Sequence, residues 1–229
     1  MNIENSVAFV TGANRGLGRH FASQLLERGA TRVYAAARNP ERVDLPGVVP
    51  VRFDLTDPES IVQAAALASD TTLLVNNAGI STHTRLTDGD FDQIRLELQT
   101  HFFGTLATTR ALAPAIAANG GGAILNVLSV LSWRHLPDYG AYSAAKAAAW
   151  AMTNVIRQEL APSGISVTAL HVGYMDTDMA SYVAPENKTD PAAVAAAALD
   201  GIEAGDTEVI GDELTRNVKR GLAEATALV

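Results

Sequence analysis

The chain has no cysteine. That excludes disulfides and thiolate catalysis, and it fits a reducing compartment, so the cytoplasm is the expected location. Five scattered histidines form no cluster with metal-ligand spacing, so no metal is expected. No apolar run reaches the roughly 18 residues of a membrane helix. No basic segment precedes the first apolar stretch, so neither an anchor nor a signal peptide is expected. Positive charge is in short supply: 17 Lys and Arg stand against 25 Asp and Glu, a net charge of -8. Nucleic acid and anionic membranes are therefore excluded as expected partners. Repeats and low-complexity linkers are missing too. A chain of 229 residues that is 48% hydrophobic suits one domain, 1–229, with a sizeable core.

The charge that is present is unevenly placed. Residues 1–52 carry seven arginines against four acids, a net +3 within an acidic chain. Either a small anion is held there, or these arginines form a solvated surface.

Apolar runs at 6–10, 31–37, 48–53, 72–75, 123–128, 166–170 and 207–210 are predicted strands. Between them lie helical patterns at 17–28, 58–67, 90–118, 142–160, 191–204 and 212–223. Strict alternation of this kind predicts a doubly wound parallel sheet of about seven strands, Rossmann-type, with helices on both faces. Ligands in such sheets bind at the carboxyl ends of the strands, where the strand order reverses.

The chemistry-bearing residues fall at those ends. The first strand runs into Thr11-Gly12-Ala13-Asn14-Arg15-Gly16-Leu17-Gly18 and then a helix. Gly12 permits a tight turn, Gly16 lets backbone approach a pyrophosphate, and Gly18 allows helix and strand to pack closely. The second strand ends on Ala37 and Arg38, where many dinucleotide folds carry an acid for the ribose hydroxyls. Without that acid, Arg38 and Arg15 could clamp a 2′-phosphate, so NADP(H) is favoured over NAD(H). Asp54 ends the third strand and either accepts from an adenine amino group or opens a turn. Asn76-Asn77-Ala78-Gly79 follows the fourth strand and suits either ribose contact and support of the sheet, or a polar turn. Ser129 follows the fifth strand. Tyr142 and Lys146 lie four apart at the start of a helix, on one face. An ammonium beside a phenol favours phenolate, which makes Tyr142 a candidate acid/base. The bland alternative is a surface Tyr and Lys on an Ala-rich helix.

Six motifs in order, T-G-A-N-R-G-L-G, Asp54, N-N-A-G, Ser129, Y-S-A-A-K and Gly173…Thr177, resemble the short-chain dehydrogenase/reductase family over nearly the whole chain. The resemblance implies hydride transfer between a nicotinamide cofactor and an alcohol/carbonyl pair. It implies Tyr142 as acid/base, Lys146 as its partner and ribose contact, and Ser129 as donor to the substrate oxygen. The implied cofactor contacts are Gly12, Asn14, Arg15, Gly16, Leu17 and Gly18, then Arg38, Asp54, Leu55, Asn77, Ala78 and Gly79. Tyr142, Lys146, Gly173 and Thr177 complete them. It also implies a homo-oligomer, dimer or tetramer, built on the helices near 90–118 and 142–160.

Two positions depart from the family pattern. Aligning on Gly104 puts His101 where an Asn is usual, as a fourth catalytic residue that supports a proton relay. Its backbone keeps that relay, its imidazole joins it, or the relay is weakened. Val172 stands where Pro is usual before Gly173, which frees φ and is expected to loosen the loop. Trp133, His135, Leu136, Tyr174, Met175 and Tyr182 either line an open apolar pocket or pack its loops. The expected activity is NADPH-dependent interconversion of a hydrophobic ketone or aldehyde and its alcohol. A non-catalytic NADP(H)-binding regulator and an epimerase or dehydratase are the alternatives.

Overall fold

The computed structural model describes residues 1–226. Seven strands form one parallel sheet: β1 (Val7–Thr11), β2 (Arg32–Ala37), β3 (Val49–Arg52), β4 (Leu73–Asn76), β5 (Gly122–Val127), β6 (Ile165–His171) and β7 (Glu208–Ile210). Their order is β3-β2-β1-β4-β5-β6-β7, so the sheet switches direction between β1 and β4. The expected doubly wound sheet is therefore observed.

The central strands β1, β2, β4, β5 and β6 are buried along most of their length, which is why they read as continuous apolar runs, whereas the edge strands β3 and β7 are largely exposed or half-buried. Alternate residues serve opposite layers. Val10, Val75 and Leu125 pack with Phe21 and Leu25 of α1 (Gly16–Glu27) and Leu199 of a later helix, Pro191–Ala204. Phe9, Leu74 and Ile124 pack on the other face. There they meet Ile61 of α2 (Pro58–Leu67), Leu112 and Ile116 of the helix Thr105–Ala118, and Ile156 of the helix Gly140–Leu160.

Most helix ends have a local cause. Pro58 opens α2, and Asp57 Oδ1 accepts from the Glu59 and Ser60 amides at 3.0 and 3.3 Å. The expected helix at 90–118 is divided into three. α3 (Phe91–Leu98) leads into a π-helical turn, Gln99–Gly104, and then α4 (Thr105–Ala118). A wide turn adds a residue to one coil, and no residue type marks it, so the helical patterns on either side read as one helix. Gly104 sits within the turn, where a Cβ would lie 2.5 Å from the Leu55 carbonyl oxygen. The remaining helices are α5 (Gly140–Leu160), α6 (Pro191–Ala204) and α7 (Glu213–Thr226). Among the described residues no helix is long and apolar enough to cross a membrane.

A buried polar row crosses the middle of the sheet. Asn76 Nδ2 donates to Asn126 Oδ1 at 2.9 Å and to Thr109 Oγ1 at 3.2 Å. Asn126 Nδ2 donates to Thr153 Oγ1 at 2.9 Å. Side-chain amides thus tie β4 and β5 to α4 and α5, beneath the strand ends that carry the site. Asn126→Ala removes both links, while Asn76 keeps its bond to Thr109 and Thr153 its bond to the Ala149 carbonyl oxygen, so the loss is that of two hydrogen bonds, about 1–3 kcal/mol. The urea midpoint should fall by the matching amount, and an unchanged midpoint would show that the row adds no stability.

Candidate active site

A cleft of about 970 Å³ runs along the carboxyl ends of the strands, across the switch between β1 and β4. The expected catalytic and cofactor-contacting residues all line it except Gly18, which lies beneath the glycine turn; of the expected pocket residues, Trp133 and His135 do not line it.

The glycine turn is held from below. Thr11 Oγ1 accepts from the Asn77 and Ala78 amides, each at 2.9 Å, and Asn77 Nδ2 donates to Thr11 O at 2.9 Å. Gly16 has φ +52, and a Cβ on Gly18 would lie 2.2 Å from the Gly12 carbonyl oxygen. Arg15 at the start of α1 makes no side-chain cap. The first N–H groups of that helix are thus left to the cleft, and a helix N-terminus of this kind attracts anions. The donor set fits the pyrophosphate of a dinucleotide. Thr177 faces it: a Cβ on Gly16 would lie 3.3 Å from the Thr177 Cγ2.

Ala37 ends β2 with no acid, and Arg38 and Arg42 line the cleft beside it. Arg42 was not among the expected contacts. Arg15 is also at the cleft, but its Nη1 lies 2.5 Å from Asp178 Oδ2, with both side chains well exposed. The expected pair of free arginines is therefore one arginine already matched to an acid from the substrate side. Asp54 Oδ1 accepts from Thr56 N at 2.9 Å and from Thr56 Oγ1 at 2.8 Å, which makes it a turn former as well as a cleft residue.

Ser129, Tyr142 and Lys146 converge from two elements. Ser129 is two residues past β5, and its Oγ accepts from Leu131 N at 3.1 Å. Lys146 Nζ donates to Val127 O at 2.9 Å and stands 5.6 Å from the centre of the Tyr142 ring. Burial pushes the Lys146 ammonium down to about 8, with Glu97 pulling it back up. Removal from water pushes the Tyr142 phenol well above its ordinary value; Ser129 acts against this, and the charge of Glu97 acts with it. This corrects the expectation that Lys146 leaves Tyr142 easier to ionise. In this structure loss of hydration is the largest influence on the Tyr142 phenol.

His101 is brought to the site, inside the π-helical turn. Its ring meets the edge of Tyr142 with centroids 5.2 Å apart. It also packs on Gly79, where a Cβ would come within 2.6 Å of the His101 Cε1. Its neighbour Glu97, fully buried, was missed by the sequence reading. The signal was available, since i and i+4 share a helix face. Two further residues were missed without any local signal. Asp212 Oδ2 accepts from Gly173 N at 2.5 Å, which holds the loop that Val172 was expected to loosen. His171 stacks on Trp133 at 3.8 Å, with Nδ1 3.3 Å from Ser129 O. Trp133 therefore packs the loop behind Ser129 and does not line the cleft, whereas Leu136, Tyr174, Met175 and Tyr182 do line it. Tyr139 Oη donates to Tyr182 Oη at 2.9 Å across the mouth.

The shift of Lys146 has a consequence for stability. Between about pH 8 and about pH 10 the unfolded chain holds a proton on this group that the folded chain has released, so its contribution to stability rises with pH. Below about 8 both states hold the proton and the contribution is flat. Thermal melts of wild type and Lys146→Met should diverge in favour of wild type across that window. A constant difference would place the Lys146 ammonium in water.

Known proteins agree with this geometry. Residues 6–188 match the family model described as short chain dehydrogenase. An uncharacterized oxidoreductase of Staphylococcus aureus is 30% identical over 212 residues, covering 86% of this chain and 90% of that protein. Dehydrogenase/reductase SDR family member 7B of Bos taurus is 33% identical over 77% of this chain, which spans only 60% of that protein's length. A short chain dehydrogenase from Burkholderia cenocepacia, solved in complex with NADP, superposes with a TM-score of 0.94 at 42% identity, over 100% of this chain and 97% of the other. A Burkholderia phymatum structure in complex with NAD shares the fold with a TM-score of 0.88 at 21% identity, over 100% of this chain and 96% of the other. The glycine turn, the Ser129–Tyr142–Lys146 cleft and these matches lead to one conclusion: this chain is an oxidoreductase of the short-chain dehydrogenase family, and it works with a nicotinamide cofactor.

Proposed function

We propose that the protein is an NADPH-dependent reductase of hydrophobic ketones or aldehydes, a single catalytic domain acting in the cytoplasm. The observation that carries this reading is the meeting of Ser129, Tyr142 and Lys146 in the cleft that also holds the glycine turn. When bound, the cofactor supplies the hydride. Ser129 Oγ orients the substrate oxygen by a hydrogen bond. Tyr142 gives that oxygen its phenolic proton. Burial keeps the Tyr142 phenol protonated, so it has a proton to give. Lys146, fixed by the Val127 carbonyl, keeps a positive charge behind the phenol and towards the cofactor ribose. His101 completes the proton path.

Preference for NADPH is supported by Ala37 at the end of β2, with Arg38 and Arg42 beside it. Apolar substrates are supported by Leu136, Tyr174, Met175 and Met179 along the open end of the cleft. Homo-oligomerisation is supported by a second, apolar groove between α4 and α5, which includes Leu106, Ala113, Ala151 and Val155.

NADPH consumption against aromatic and aliphatic ketones tests the reading. Tyr142→Phe should lower kcat by about 10²–10⁴-fold, while NADPH affinity measured by fluorescence titration stays within a small factor. Full activity in that variant would remove Tyr142 from the mechanism. KM for NADPH should be at least about tenfold below that for NADH, and Arg38→Ala should narrow the gap, since a charge-assisted bond contributes about 1.5–3 kcal/mol. A clear preference for NADH would reject the cofactor assignment.

A further inference from the structure

Glu97 is a buried carboxylate with half of its hydrogen-bonding capacity unused. Its Oε1 accepts from Thr82 N at 2.6 Å and from Thr82 Oγ1 at 2.9 Å. Its Oε2 has no hydrogen-bond partner but lies 3.2 Å from His101 Nε2, and both side chains are almost wholly shielded from solvent. The same Nε2 is 2.9 Å from the Ile80 carbonyl oxygen. Two acceptors therefore face one ring nitrogen. With the proton on Nε2, both are satisfied in part. With a lone pair there, the donor that the described residues offer is Ile80 N at 3.5 Å, and two oxygens would face that lone pair.

We propose that Glu97 is a positioning residue for proton transfer: its carboxylate holds His101 in the Nε2–H form against Tyr142 and leaves Nδ1 to the cleft. This rests on the reading of the cleft as a reductase site. There, Tyr142 loses its proton to the substrate oxygen and has to regain one. His101 protonated at Nδ1 releases that proton towards the phenolate through cleft water, the Tyr142 O–H bond re-forms, and the neutral Nε2–H imidazole takes the next proton from bulk water. A carboxylate behind the far nitrogen orients the ring and stabilises the imidazolium, as an acid does behind a catalytic histidine.

The charged and titratable groups around His101 all bear on the sign. Glu97 faces it from α3, and Tyr142 and Lys146 face it from α5. Burial and then Lys146 push the imidazole down, and Glu97 pushes it up. Burial pushes the Glu97 carboxyl up, but the bonds from His101 and Thr82 outweigh this and hold it below its ordinary value. Glu97 also raises Tyr142 and Lys146. Replacing it by Gln therefore moves every one of these titrations to lower pH.

The test uses the full chain, with histidine 15N NMR beside kinetics. Wild-type His101 should show the Nε2–H form when neutral; the opposite tautomer overturns the proposal without any variant. In Glu97→Gln the His101 midpoint should fall. The pH above which kcat for reduction declines should fall with it, while the substrate KM changes by less than about threefold, the mark of an interaction made in the transition state. In a His101→Asn background, Glu97→Gln should move the kcat profile by less than about half as much, because the coupling partner is gone. An unmoved midpoint or profile in Glu97→Gln overturns the proposal, as does an equal shift in the Asn background. If wild type reduces no carbonyl with either cofactor, the function above fails, and the His101 tautomer and midpoint alone decide the role of Glu97.

Discussion

The site hangs on the bond from Lys146 Nζ to the Val127 carbonyl oxygen, 2.9 Å long. It crosses from α5 to the last residue of β5 and uses a carbonyl that has run out of sheet partners. Ser129 is two residues beyond that carbonyl, and Tyr142 is one helical turn before the lysine. One hydrogen bond therefore sets the spacing between a hydroxyl, a phenol and an ammonium. A loose ammonium in so dry a place would be costly, because burial already lowers its proton affinity to about 8.

Charge in the closed part of the cleft is balanced in a particular way. Lys146 is positive, Glu97 is negative, and His101 and Tyr142 lie near both. Glu97 is tolerated at full burial because Thr82 donates twice to its Oε1 and the His101 ring lies 3.2 Å from its Oε2. The π-helical turn belongs to the same arrangement, since it carries His101. The outer parts of the cleft are handled differently. Arg15 and Asp178 meet in solvent, where an ion pair is cheap to make and cheap to break.

Much of this was legible in the residues. Strands buried on both faces are apolar throughout, so their number and order in the chain could be read, with ends displaced by a residue or two. The α2 and α6 boundaries carry Asp-Pro signals and were readable to the residue. Ser129, Tyr142, Lys146 and the glycine turn were recognisable because each is a local pattern: a strand end, an i and i+4 pair, a turn that only glycine fits. The π-helical turn was not readable, because no residue type marks one added residue within a long helical pattern. Trp133 was ambiguous for a similar reason, since an aromatic in a loop has no local mark for inward packing. Its choice was made by His171, thirty-eight residues away in the sequence.

The sequence by itself determined the parallel sheet, the glycine turn at the end of its first strand and which residues stand as candidates at the strand ends, because these follow from short-range periodicity and from residue types. Tertiary structure alone decided how those groups behave. Tyr142 became harder to ionise, not easier, because burial strips its phenol of water and the buried charge of Glu97 adds to the effect. Arg15 turned to Asp178, and Gly173 was fastened by Asp212, from 163 and 39 residues away. Hydration and long-range partners exist only once the chain has closed on itself, so no local pattern could have carried them.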